Sequence, residues 1–61
     1  MKKVAVIGAG SWGTALAVTL STKGHRVKIC DVNKEHVFNM KEHRENIKYL
    51  PGIKFNENLT V

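Results

Sequence analysis

The sequence predicts an α/β chain built on a parallel sheet, and three observations predict it. The apolar residues of Lys3 to Ile7 are consecutive, which suits a strand covered on both faces. Ser11 to Lys23 repeats small and apolar residues at helical spacing. Arg26 to Cys30 then alternates, with Val27 and Ile29 set against Arg26 and Lys28. Strand, helix and strand within about thirty residues make a βαβ unit, whose crossover is almost always right-handed.

Each element has local support. In the first helix, Gly13, Leu16, Ala17 and Leu20 fall at i, i+3, i+4 and i+7, so they share one stripe. The small residues at its start let the first turn approach another backbone closely. Gly24 stands where a helix-terminating glycine belongs, with Lys23 near the negative end of the helix dipole. Asn33 is suited to cap a second helix running to about Arg44, with Glu35 in its first turn and a thin apolar face of Val37, Phe38 and Met40. Tyr49 to Ile53 reads as a turn, because Pro51-Gly52 fits the two centres of type II. Leu59 to Val61 looks like the opening of a third strand.

Composition excludes several classes. Sixty-one residues allow at most one small domain, and chains of this size bury only about 60% of their unfolded surface. A substrate cleft, a cofactor pocket and a lid do not fit, so the chain is expected to be a small binding protein or part of something larger. One cysteine forms no internal disulfide, and one cysteine with three histidines and no CxxC makes no ordinary zinc module. The net charge of +5 comes from lysines dispersed along the chain rather than from a basic block, which argues for a solvated surface and against nucleic-acid binding. Lys2-Lys3 before the uncharged stretch Val4 to Thr22 imitates an export signal, but Gly8, Gly10 and Gly13 interrupt the apolar run. A signal core needs about 7–15 continuous apolar residues and a membrane span about 20.

The chemistry lies in Gly8-Ala9-Gly10-Ser11-Trp12-Gly13, a G-x-G-x-x-G directly after a strand and opening a helix. Alone the pattern is weak; that context makes it a dinucleotide-binding fingerprint of the Rossmann type. Gly8 permits the tight turn, Gly10 lets the backbone approach a pyrophosphate, and Gly13 brings the helix against the sheet. The helix N-terminus adds free N–H groups and a positive dipole. Asp31 ends the second strand about twenty residues further on, where a carboxylate accepts hydrogen bonds from the adenosine ribose and repels the 2′-phosphate of NADP. NAD is therefore preferred and NADP admitted, with Arg26 and Lys34 softening the preference. The competing readings are a ligand-free glycine turn and a capping aspartate. His36, Met40 and His43 lie along one helix face without the i, i+4 pair a metal site needs, so the histidines read as surface groups and no metal is expected. His25 and Cys30 read as structural. Trp12 falls beside a bound pyrophosphate or over the strand ends.

Val6-Ile7-Gly8-Ala9-Gly10-Ser11-Trp12-Gly13-Thr14-Ala15-Leu16-Ala17, Gly24-His25 and Asn46-Ile47-Lys48-Tyr49-Leu50-Pro51-Gly52-Ile53 together resemble the N-terminus of NAD(P)-dependent glycerol-3-phosphate dehydrogenases. The resemblance covers essentially the whole chain. It implies a cytoplasmic oxidoreductase that reduces dihydroxyacetone phosphate to sn-glycerol 3-phosphate for phospholipid synthesis. It also implies that Ser11 and Trp12 contact the cofactor, and it sets Tyr49 near the adenosine side. Where many bacterial members carry a basic residue after the second strand, this chain has Val32 behind Asp31, which again favours NAD. The expected cofactor-binding set is Gly8, Gly10, Ser11, Trp12, Gly13, Asp31, Val32 and Asn33. In the family the catalytic lysines and phosphate-binding residues come from later segments, so no catalytic residue is assigned. Residues 1–61 are expected to be a β-α-β-α fragment of a dinucleotide-binding domain, with the substrate bound elsewhere and a homo-oligomer compatible with the intact protein. Another Rossmann dehydrogenase and a non-catalytic nucleotide-binding regulatory module are the alternatives.

Overall fold

A computed structural model describes residues 2–61. The chain runs β1 (Lys3–Ile7), α1 (Ser11–Thr22), β2 (Arg26–Cys30), α2 (Lys34–His43), β3 (Glu45–Asn46), β4 (Leu50–Lys54) and β5 (Leu59–Thr60). Strands β1, β2 and β5 form one parallel sheet in that order, so β2 is central. The third strand expected at Leu59 is thereby in place. Strands β3 and β4 make a separate antiparallel pair.

The core lies between this sheet and the helices. Val4 pairs with Val27 and Val6 with Ile29, so four β-branched residues share the face that packs on α1. Ile29, Met40 and Leu59 are fully buried among them, each contributing about 1.5–3 kcal/mol of transfer free energy. The opposite face is different. Ala5 opposite Lys28 and Ile7 opposite Cys30 occupy it, and Ile7 is 78% exposed. The expectation of cover on both faces of β1 is therefore not met within these residues, because every element packed on the sheet lies on the Val6 side.

Helix α1 buries Ala17 and packs Leu20 against the core, as its apolar stripe suggests, but the buried face is shifted toward polar residues. Thr14, Ala17 and Ser21 face inward while Leu16 is 45% exposed. The reason is polar pairing across the fold. Thr14 Oγ1 accepts from Asn46 Nδ2 at 2.7 Å, and Ser21 Oγ accepts from Asn56 Nδ2 at 3.0 Å while donating to the Val18 carbonyl. Burial of a hydroxyl is tolerated only with such partners, and these come from residues remote in sequence. The helix ends as its glycine predicts. With Gly24 at φ +94°, its N–H reaches the Ser21 carbonyl and that of His25 reaches Leu20, a Schellman closure.

Helix α2 is capped by the Asn33 side chain, which accepts from the His36 N–H at 3.0 Å. Its buried residue is Met40, whereas Phe38 is 66% exposed and belongs to no core. Arg44 closes the helix in the left-handed region. Its guanidinium donates to the carbonyls of Asn56 and Leu59, each at 2.7 Å, and so delivers β5 to the sheet. Of the turn expected over Tyr49 to Ile53 only Tyr49 lies in the reversal, and Leu50 to Ile53 belong to β4. The chain reverses at residues 47–49, and Pro51-Gly52 lies within β4 at an irregularity of the pairing. An edge strand tolerates the N–H that proline lacks. Gly52, at φ +88°, turns its own N–H to Glu45 Oε2 at 2.9 Å.

Candidate functional site

The C-terminal ends of parallel strands, with a helix N-terminus beside them, are where α/β sheets bind ligands. Here the ends of β1 and β2 meet the start of α1. Of the eight predicted residues, Gly8, Asp31 and Val32 line one cleft there, Gly10, Ser11, Trp12 and Gly13 form the loop and first turn of α1, and Asn33 lines a separate cleft. The three glycines differ in what they require. Gly8 has φ +98°, in the region that L side chains rarely adopt, and its N–H donates to the Cys30 carbonyl at 2.7 Å. A side chain on Gly13 would overlap the Gly8 carbonyl oxygen and crowd Val6 Cγ1 at 3.3 Å. Gly10 is neither strained nor crowded: at φ −77° it is the N-cap of α1, and a Cβ there would meet nothing within 4 Å. No side chain caps this helix, so its first N–H groups stay available. Thus the loop is tight where it touches protein and open where an anion would approach.

Asp31 lies at the end of β2 with both carboxylate oxygens engaged. Oδ1 accepts from the Asn33 N–H at 2.9 Å and Oδ2 from the Ala9 N–H at 2.8 Å. The Asn33 bond first, then the Ala9 bond, hold its carboxyl below the ordinary carboxylate range, with the nearby His36 adding a smaller pull in the same direction. Asp31 caps neither helix, since Asn33 is the N-cap of α2; its side chain ties the glycine loop to the turn before α2. Each oxygen keeps a second lone pair for a hydroxyl donor. Val32 is 98% exposed beside it, and Ile7, Gly8, Cys30, Asp31 and Val32 line a cleft of about 260 Å³. Ser11 is exposed at the first position of α1, and Trp12 next to it is 83% exposed.

Two residues at the loop escape sequence reasoning. Asn46 is fully buried, and its Nδ2 donates to the Ala9 carbonyl at 2.9 Å as well as to Thr14. His36, read as a surface group, places Nε2 3.1 Å from the same carbonyl and packs edge-on against Tyr49, ring centroids 5.4 Å apart. A carbonyl only accepts, so this nitrogen carries the proton. Asn46 had a signal only as part of the Asn46 to Ile53 segment; His36 had none. A second, larger cleft of about 360 Å³ opens between α2 and the β3–β4 turn, lined by Asn33, Glu35, His36, Asn39, Ile47 and Lys48. Among the described residues no group of three His, Cys, Asp or Glu could hold a metal ion, and no helix is long and apolar enough to cross a membrane.

Residues 3–61 match the family described as NAD-dependent glycerol-3-phosphate dehydrogenase N-terminus. The chain is 55% identical over 58 residues to a protein of Citrifermentans bemidjiense named glycerol-3-phosphate dehydrogenase (NAD(P)+), and 52% identical over 59 residues to one of the same name from Chlorobium phaeobacteroides. These alignments take in 95% and 97% of this chain but 17% and 18% of the relatives. The crystal structure of glycerol-3-phosphate dehydrogenase from Coxiella burnetii superimposes with a TM-score of 0.94 at 43% identity, over 95% of this chain and 18% of that one.

Proposed function

The chain belongs to the family of N-terminal segments of NAD-dependent glycerol-3-phosphate dehydrogenases, and on that premise we propose that it is the cofactor-binding portion of an oxidoreductase interconverting dihydroxyacetone phosphate and sn-glycerol 3-phosphate. The observation that carries this reading is the division of labour in the glycine loop. Gly8 and Gly13 are demanded by the fold, whereas Gly10 is demanded by nothing within the protein. Open space at that glycine, in front of an uncapped helix, fits a diphosphate. Gly8, Gly10, Ser11, Trp12 and Gly13 would hold the diphosphate side, and Asp31, Val32 and Asn33 the adenosine ribose. Bound there, the dinucleotide supplies the hydride.

Within this reading NAD is preferred to NADP. A carboxylate with a neighbouring valine presents negative charge and no cation to a 2′-phosphate, and like charges at hydrogen-bonding distance repel strongly. Residues 1–61 form part of the dinucleotide domain, and the proton donor and the substrate-phosphate ligands are placed outside them. The enzyme so described is cytoplasmic and feeds phospholipid synthesis. The test is oxidation of NADH by the intact protein with dihydroxyacetone phosphate. Turnover with a kcat/KM for NADH above that for NADPH supports the proposal. No NADH oxidation would overturn it.

A further inference from the structure

Ala9 is the most tightly gripped point of the loop. It is 1% exposed, its N–H is held by Asp31, and its carbonyl is held by Asn46 and His36. The peptides on either side are trans, and a trans peptide points its N–H and its carbonyl in opposite directions. With the Ala9 N–H drawn to Asp31, the Gly8 carbonyl must face the other way. It does, since that oxygen is the one pressed against Gly13.

The same rule applies to the next peptide. Its carbonyl, on Ala9, is drawn toward Asn46 and His36, so its N–H, on Gly10, faces away from α2 and the β3–β4 turn. No loop or turn hydrogen bond takes up the Gly10 N–H, and a Cβ on Gly10 would meet nothing within 4 Å. We propose, resting on the dinucleotide reading above, that Asn46, assisted by His36, is a positioning residue that aims the Gly10 N–H at the cofactor's diphosphate.

Asn46 suits this role because it has no freedom left. Its two Nδ2 protons go to the Ala9 carbonyl and Thr14 Oγ1, and its Oδ1 accepts from the Tyr49 N–H at 3.1 Å. A rotated amide would set oxygen against the Ala9 carbonyl and NH2 against the Tyr49 N–H, so only one orientation satisfies all three neighbours. A donor fixed before the ligand arrives loses no ordering entropy on binding. His36 is the weaker hold, at 3.1 Å and from a partly exposed ring.

The experiment uses the intact enzyme carrying Asn46→Asp, which keeps the shape of the side chain but replaces the donor to Ala9 by a repelling oxygen. ADP carries a diphosphate and adenosine does not, so calorimetric titration with each isolates the loop. The expected result is a rise of about tenfold in the Kd of ADP, the order of one lost hydrogen bond to a charged group. The Kd of adenosine stays constant, and the KM of NADH rises while kcat changes less than about twofold. Ser21→Ala, which breaks the Asn56 contact at the far end of α1, lowers thermal stability without moving the ADP affinity. His36→Phe retains the edge contact with Tyr49 and raises the ADP Kd by a few-fold, and it decides the matter where Asn46→Asp does not fold. Unchanged ADP affinity in a folded variant, or an equal loss for adenosine, overturns the positioning role. Failure of the unsubstituted enzyme to bind ADP overturns the dinucleotide reading itself.

Discussion

The three loop glycines allow one perturbation to be carried out in three physical settings. Gly13→Ala adds a methyl group that overlaps a backbone carbonyl oxygen and meets Val6 Cγ1 at 3.3 Å. Backbone cannot swing aside as a long side chain can, so the loop and α1 must separate. Overpacking of this kind costs about 1–3 kcal/mol, against which alanine in a helix returns about 1 kcal/mol relative to glycine. The net expectation is a destabilisation of about 0–2 kcal/mol, with a displaced loop and a raised KM for NADH. Gly8→Ala meets no atom but forces alanine to φ +98°, at about 1–2 kcal/mol of backbone strain. Gly10→Ala meets no atom and no strain, so the thermal midpoint of the enzyme stays within about a degree or two of the parent, as expected for a change outside the named destabilising mechanisms. Its methyl group nevertheless occupies the space assigned to the diphosphate, and the KM for NADH rises at least about tenfold, the effect of losing one hydrogen bond to a charged group. Differential scanning fluorimetry and steady-state kinetics on the intact enzyme read the two quantities separately. A Gly10→Ala enzyme with unaltered KM, or a Gly13→Ala enzyme more stable than its parent, would refute the division of roles.

Other consequences are equally direct. Asp31→Gly removes the carboxylate proposed to disfavour a 2′-phosphate but also the anchor of the Ala9 and Asn33 N–H groups; the proposed preference for NADH over NADPH should fall while affinity for both weakens, and unchanged discrimination in competition kinetics would sink the ribose assignment. The depressed pKa of Asp31 means that its anchoring is present above the unfolded carboxylate value, about 3.9, and is lost only as pH falls through the lower folded value. Its carboxyl carbon resonance should therefore titrate below the usual aspartate midpoint, with the Ala9 and Asn33 amides moving in step; a normal or raised midpoint would contradict the hydrogen bonds. Titration of the 61-residue chain with NADH, followed by fluorescence of the exposed Trp12, should show binding weaker than micromolar, because the site within these residues is an open edge; a micromolar Kd would show that they suffice.

The parts of this molecule that were legible in the sequence are those governed by near neighbours. Strands β1 and β2, both helices, the Gly24 closure and the Asn33 cap each follow from residues within one or two turns of the feature they explain. The glycine loop was legible for the same reason, since a strand, a turn and a helix start occupy adjacent residues. What was illegible depends on residues far apart in the chain. Thr14 and Ser21 look like solvent-facing hydroxyls until Asn46 and Asn56 arrive to satisfy them. Pro51-Gly52 reads as a turn until Glu45 pairs with the strand that contains it.

Asparagine does much of this long-range work, and that bears on how the site is held. Asn33, Asn46, Asn56 and Asn58 each use a side-chain amide to fix backbone or hydroxyl groups, whereas the only ion pair among the described residues, Lys54 with Glu45, is largely exposed at its lysine end. An exposed pair of that kind contributes about 0–1 kcal/mol and is screened by salt. Hydrogen bonds between such neutral groups are short-ranged and less sensitive to ionic strength. A loop proposed to present N–H groups to a diphosphate is well served by amide supports, because a further anion beneath it would repel that ligand. Asp31 is the exception, and in the proposed reading it stands at the ribose end, where a negative charge would select between cofactors instead of opposing the diphosphate.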